Sequence, residues 1–179
     1  MITPEQAAEV LASAQQLYSQ QEVEQTLDRL ARQISERLAE ANPLVLCVLN
    51  GALIPTGHLM TRLAFPLRQD YIHATRYQGD TRGAELEWVG RPGTPLAGET
   101  VLVVDDILDE GVTLAEIIRY CQEAGAKAVY SAVLVEKRHA RSNGFQADFV
   151  GLPVPDRYVF GFGMDYKGFL RNAPGIYAI

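Results

Sequence analysis

The chain has 179 residues, 47% of them hydrophobic and 21% charged, which suits one folded domain with a sizeable core and argues against disorder. Sixteen Lys and Arg against 22 Asp and Glu give a net charge of −6, a poor match to nucleic-acid binding, which relies on basic side chains meeting phosphates. No apolar stretch is long enough to cross a bilayer, and MITPEQAAEV lacks the basic-then-apolar pattern of a signal peptide, so a cytoplasmic protein with no membrane or nucleic-acid partner is expected.

Thr3-Pro4-Glu5-Gln6 combines a capping residue, proline at the first helical position and Gln three residues after the cap, which predicts a helix start. Val10, Leu11, Ala14, Leu17 and Tyr18 give that helix one apolar face. A second helix is predicted through Val23, Leu27, Leu30, Ile34 and Leu38, whose spacing follows a helical period. Pro43 closes the helical section. Leu44–Leu49 (LVLCVL) is a continuous apolar run, as in a strand buried on both faces, and Asn50-Gly51 breaks it. Ile54–Leu63 reads as a helix and Leu67–Ala74 as a strand. Residues 75–83 are polar and contain Gly, which predicts a mobile loop, and Ala84–Val89 returns from it as a strand.

Thr100–Val104 is a second buried strand. A helix after it ends near Gly125, and Ala128–Val135 is a third buried strand. Strand, helix and strand with apolar runs predict a parallel sheet with right-handed crossovers. Short strands around Tyr158–Phe162 and Ile176–Ile179 read as an appendage to that sheet. Cys47 and Cys121 lie far apart in apolar or helical surroundings, which predicts buried free thiols. Three scattered histidines leave no basis for a Cys/His zinc site.

The most informative segment is VLVVDDILDEGVTLAEI. A strand ends in Asp105-Asp106, a loop spans Ile107–Val112, and Thr113 opens a helix with Glu116 at capping-box spacing. Ligands of open parallel α/β sheets bind outside the carboxyl ends of the strands, and that position carries three Asp and one Glu within six residues. Backbone N–H groups around Gly111–Thr113, with the Thr113 hydroxyl, suit a phosphate monoester at a helix N-terminus. The carboxylates would repel a phosphate held against them. They suit a ribose diol or a metal-bound water. No Gly-Lys-Thr/Ser, G-x-G-x-x-G or G-x-S-x-G motif is present. The Asp pair also follows too much chain for a receiver domain, where it should follow the first strand.

This loop resembles the phosphoribosyl-pyrophosphate signature of type I phosphoribosyltransferases. The tail VPDRYVFGFGMDYKGFLRN narrows the resemblance to the hypoxanthine-guanine branch. The resemblance runs from Leu44 to Ile179 and implies an α/β fold, a central parallel β-sheet flanked by helices with a small hood from the C-terminal segment. It implies one domain over residues 1–179, with a core at about 40–150, a flap at about 75–90 and the hood at about 151–179. The implied activity is purine salvage, transfer of phosphoribosyl to N9 of hypoxanthine or guanine. Other acceptors, such as xanthine, and a non-catalytic phosphoribosyl-pyrophosphate sensor are the alternative readings.

By the same resemblance, Asp105 and Asp106 match the acidic pair that holds the ribose hydroxyls, with Asp105 in place of the usual Glu. Asp109 matches the carboxylate near purine N7 and would act as general base. Glu110, Gly111, Val112 and Thr113 match the 5′-phosphate loop, where Glu110 departs from a small hydroxyl residue and Val112 would use its backbone N–H. Leu49-Asn50-Gly51 resembles the pyrophosphate loop, with a strained or cis peptide, although Asn-Gly alone also fits a plain strand-to-helix turn. Arg171 matches a pyrophosphate-binding arginine. Lys137 resembles the donor to the purine 6-oxo group, Tyr158 the ring that stacks on the purine, and Val159 a backbone contact to its edge. Arg157 stands where a lysine is common and would add to that edge. Arg138, His139 and Arg141 read as a solvated basic rim. Asp165 resembles a Mg²⁺ ligand, with Asp105 and Asp106 as further candidates, and Tyr77 resembles the flap tyrosine. The implied partners are phosphoribosyl pyrophosphate, 6-oxopurine bases and further copies of the chain, as a dimer or tetramer.

Overall fold

The computed structural model describes residues 2–76, 86–138 and 144–179. Among these residues four helices, α1 (Pro4–Ser13), α2 (Gln20–Leu38), α3 (Leu53–Met60) and α4 (Val112–Glu123), are joined to two sheets. The large sheet contains β2 (Leu44–Leu49), β3 (Arg68–Arg76), β4 (Leu86–Gly90), β5 (Thr100–Leu108), β6 (Ala128–Lys137) and β7 (Phe149–Val154) in the order β4-β3-β2-β5-β6-β7. All its pairings are parallel except β3 with β4. The small sheet has the order β1-β9-β8, from β1 (Gln15–Tyr18), β8 (Val159–Phe160) and β9 (Ile176–Ala178), all antiparallel.

The apolar runs explain the layering. Side chains alternate across a strand, so Val45, Leu102 and Val104 face α2 and α3, while Leu44, Leu46, Val101 and Val103 face α4. The helical spacing read from Val23 to Leu38 is the buried stripe of α2, and every one of those residues is under 2% exposed. Each such side chain contributes roughly 1.5–3 kcal/mol of burial free energy. Arg29 at the solvent edge of α2 donates to the carbonyls of Val150 and Gly151 and so fastens β7. Both cysteines are free and buried, as expected.

Several elements differ from the sequence reading. The capping box at Thr3 and Gln6 forms, but α1 stops at Ser13. Ala14 turns extended, and Leu17 and Tyr18 lie in β1, which pairs with β9 near the end of the chain, Tyr18 opposite Ile176. The hood is therefore built from both termini. Strand β5 continues through Asp105 and Asp106 to Leu108, since β6 keeps pairing with it as far as Glu136. The capping box expected at Thr113 and Glu116 is absent. Gly111 is the N-cap, at φ +84°, a left-handed conformation that favours glycine, and Glu116 instead pairs with Arg119. Strand β7 carries only the weak pattern FVGLPV and escaped the sequence reading. The predicted polar loop falls mostly outside the described residues, which also exclude Tyr77, His139 and Arg141.

Candidate active site

Parallel pairing aligns the carboxyl ends of β2, β5 and β6, and each delivers one part of a common cleft. Strand β2 leads into Asn50-Gly51 through a cis peptide between Leu49 and Asn50. Strand β5 carries Asp105 and Asp106 and hands over to α4 in only three residues, Asp109–Gly111. Strand β6 ends on Lys137.

Two adjoining cavities open there. The larger, about 380 Å³, is walled by Gly51, Asp105, Asp106, Glu110, Gly111 and Thr113 among others. The smaller, about 240 Å³, is walled by Lys137, Tyr158, Val159, Met164 and Asp165. Asp106, Ile107 and Asp109 line both. The larger cavity ends on the first N–H groups of α4, which lack intrahelical partners and attract an anion. Its other wall is carboxylate. One cavity thus holds both an anion-attracting helix start and a set of carboxylate acceptors that suit hydroxyl donors.

Burial dominates the electrostatics of that acceptor set. Asp105 is 8% exposed. Its carboxyl is pushed well above the usual aspartate range, first by loss of solvent and then by the adjacent Asp106 charge. Asp106 is pushed up by burial as well, against a hydrogen bond from the Asp105 carboxyl and the Arg171 charge. The Asp105 carboxylate also accepts the Asp106 backbone N–H at 2.9 Å. A buried carboxyl beside a half-buried one favours holding a proton until a cation or hydroxyl donors arrive.

The hood closes the far side. Asp165 accepts the Gly168 N–H at 2.7 Å and pairs with Arg171 at 2.7 Å. Arg171 also donates to the Gly163 carbonyl at 2.6 Å. Gly163 has φ +108°, and a Cβ there would stand 2.1 Å from the Gly51 carbonyl oxygen. A Cβ on Gly51 would stand 1.8 Å from Asp106 Oδ2. The hood therefore meets the Asn50-Gly51 loop backbone to backbone, and Gly51 in turn packs directly on the Asp106 carboxyl, approaches that leave no room for a side chain.

The structure brings together Gly51, Asp105, Asp106, Asp109, Glu110, Gly111 and Thr113 around one cavity, and Lys137, Tyr158, Val159 and Asp165 around the other. Lys137 meets Asp109 at 2.9 Å. Val112, between Gly111 and Thr113, is 37% exposed and is not among the walls of the larger cavity. Arg157, expected at the purine edge, is not among the walls of the smaller cavity. Its guanidinium donates to Gln15, which β1 brings alongside. The sequence reading missed Ile107 and Met164 as walls and Gly163 as the contact with the loop. The Gly161-Phe162-Gly163 pattern held that last signal. Among the described residues, no group of three or more His, Cys, Asp or Glu is assembled to hold a metal alone.

The fold and cleft define a class: an open, mostly parallel α/β protein with a carboxylate-lined cavity against a helix start at the strand ends and an aromatic-walled cavity beside it, under an antiparallel hood. The sequence matches the phosphoribosyl transferase domain over residues 13–167. The chain belongs to the phosphoribosyl transferase domain family. It is 30% identical to the hypoxanthine-guanine phosphoribosyltransferase of Bacillus subtilis over 161 residues, 89% of each chain. It is also 30% identical to the hypoxanthine-guanine-xanthine phosphoribosyltransferase of Tritrichomonas foetus, over 89% of this chain and 88% of that one. A solved hypoxanthine-guanine phosphoribosyltransferase from Bacillus anthracis superposes with TM-score 0.86 at 27% identity, covering 92% of this chain and 98% of that one.

Proposed function

We propose that the protein transfers the phosphoribosyl group of phosphoribosyl pyrophosphate to N9 of hypoxanthine or guanine, giving IMP or GMP and pyrophosphate, a purine-salvage reaction of the cytoplasm. The carrying observation is the pair of adjoining cavities with Asp106, Ile107 and Asp109 in their common wall. One cavity suits a phosphorylated sugar and the other a flat base, and the shared wall is where a bond between them would form.

The 5′-phosphate sits on the N–H groups at the start of α4, and the ribose diol donates to Asp105 and Asp106. Pyrophosphate lies against the Asn50-Gly51 amides and Arg171, whose planar fork suits phosphate oxygens. As the C1′–O bond lengthens, positive charge grows on the ribose and negative charge on the leaving group, and these fixed donors stabilise the latter. The base stacks on Tyr158, is flanked by Val159 and receives a hydrogen bond from Lys137 at its 6-oxo oxygen. N9 bonds to C1′ while Asp109 accepts the base's proton. Adenine carries an amino group where Lys137 requires an acceptor.

Mg²⁺ fits the donors present. Asp165, with Asp105 and Asp106 nearby, offers the one or two carboxylates that this ion combines with water and substrate oxygens. When bound it supplies charge neutralisation to the departing pyrophosphate. The proposal extends to a single domain of core, flap and hood, to Tyr77 as part of the flap and to a homo-oligomer, dimer or tetramer.

Incubation with phosphoribosyl pyrophosphate and Mg²⁺, separately with hypoxanthine, guanine, xanthine and adenine, tests the reading by chromatography of the nucleotide formed. IMP or GMP without AMP supports it; no nucleotide from any base refutes it. XMP would extend the acceptor range, which the name of the Tritrichomonas relative makes the second reading.

A further inference from the structure

Tyr158 is 47% exposed, so much of its ring is free of packing. Its ring has one aromatic neighbour among the described residues. Tyr166 meets it edge-on, with centroids 5.3 Å apart and planes at 77°. Tyr166 in turn lies 5.9 Å from Phe160, which is fully buried, and Phe160 stacks on Tyr177 at 5.6 Å and 17°. A row of rings therefore runs from the buried hood to the exposed Tyr158.

Tyr166 is itself tightly held. Its N–H and carbonyl both bond to Phe169, at 2.8 and 2.9 Å. Lys167 and Gly168 between them have φ +49° and +90°, the geometry of a two-residue hairpin turn that fixes the flanking chain. The Lys167 ammonium lies 5.5 Å from the Tyr166 ring centre, a contact that adds to ring placement.

From this arrangement we infer that Tyr166 is a positioning residue for the base site, acting through Tyr158. Its ring edge holds the Tyr158 ring upright against the smaller cavity, and the buried Phe160 supplies the rigidity. The inference rests on the proposed transferase reading. Tyr166 touches no substrate, so its effect falls on base affinity and not on the chemistry. An ordered platform loses less conformational freedom when the base arrives.

The test is steady-state kinetics of the full chain with guanine and phosphoribosyl pyrophosphate varied in turn, comparing wild type with Tyr166→Phe, Tyr166→Leu and Tyr166→Gln. The ring-free variants are expected to raise the KM for guanine by roughly 3- to 10-fold, the range of a lost edge-to-face pair. Tyr166→Phe should behave as wild type, and kcat and the KM for phosphoribosyl pyrophosphate should stay within about twofold. In a Tyr158→Ala background the Tyr166→Leu effect should vanish, because the two residues act as one unit. Leu and Gln differ in polarity at this half-buried position, so one folded ring-free variant suffices. An unchanged guanine KM, an equal rise in both KM values, or full additivity with Tyr158→Ala overturns the inference while wild-type turnover leaves the transferase reading standing. Absence of wild-type turnover sinks both.

Discussion

Lys137 Nζ, in the wall of the smaller cavity, lies 2.9 Å from Oδ2 of Asp109, which lines both cavities. Lys137 is 14% exposed and Asp109 41%, so the ammonium is the more enclosed partner and the carboxylate reaches towards solvent. The pair joins the end of β6 to the loop after β5, two segments 28 residues apart. In the proposed reaction the arriving base takes Lys137 as its 6-oxo donor, and Asp109 then receives the base's proton with its neighbour engaged elsewhere.

Lys137→Met should weaken guanine and hypoxanthine use by about 10- to 100-fold in kcat/KM, the range expected for one charged hydrogen bond. The KM for phosphoribosyl pyrophosphate should change by less than about threefold. Initial rates with each substrate varied show whether the loss is confined to the base.

Asp109→Asn should lower the single-turnover rate by on the order of 10²–10⁴ if the carboxylate takes the proton. Being 41% exposed, Asp109 contributes little to folding, so the melting temperature should move by less than about 3 °C. A near-wild-type rate in rapid-quench experiments would remove Asp109 from the general-base role.

Much of this was legible in the sequence, for a physical reason. Strands buried on both faces must be continuously apolar, so β2, β5 and β6 stood out. The carboxylates that break the apolar run of β5 at Asp105 and Asp106 marked the ligand end. What stayed hidden depends on contacts between distant segments. Leu17 and Tyr18 continue a helical period locally, and only the pairing of Gln15, Gln16 and Tyr18 with Ile176–Ala178 makes the segment a strand. The reach of β5 to Leu108 depends on β6 beside it. Gly163 looked like part of a failed dinucleotide motif, whereas its lack of a side chain serves the approach to Gly51. The place of Arg157 in the tail points to the purine edge, but its partner Gln15 comes from the other terminus.

The acidic pair yields a pH-dependent stability difference. Asp105 has its folded-state pKa raised by burial and by Asp106. The stability linked to it is therefore full below the ordinary aspartate range and is lost as pH rises through the elevated value. Asp105→Asn keeps an oxygen for the Asp106 N–H and removes the charge. It should raise the melting temperature of the unliganded protein at pH 8 by roughly 2–4 °C, as about 1 kcal/mol does in a chain of this size. The difference should shrink towards pH 4. Calorimetry across that range checks the sign, and a variant less stable than wild type at pH 8 would contradict it.

Gly163→Ala should damage both folding and catalysis. A methyl group would have to stand 2.1 Å from the Gly51 carbonyl at φ +108°, so hood and loop must separate or distort. A loss of at least about 1–3 kcal/mol is expected, with a raised KM for phosphoribosyl pyrophosphate. Denaturant unfolding and kinetics on one preparation measure both.

The hood is also latched at its N-terminal side, where the Tyr18 hydroxyl donates to the Pro153 carbonyl at 2.6 Å. Tyr18→Phe removes that bond alone. It should cost about 0.5–1.5 kcal/mol in urea unfolding and leave kcat within about twofold.

The central claim, transfer of phosphoribosyl to a 6-oxopurine, is tested most directly by continuous measurement of pyrophosphate release from phosphoribosyl pyrophosphate and Mg²⁺. The wells would contain hypoxanthine, adenine or no base. The account expects rapid release with hypoxanthine, matched mole for mole by IMP, and only background release in the other two. Release that is equally fast without a base, or with adenine, or absent throughout from the folded protein, would contradict it.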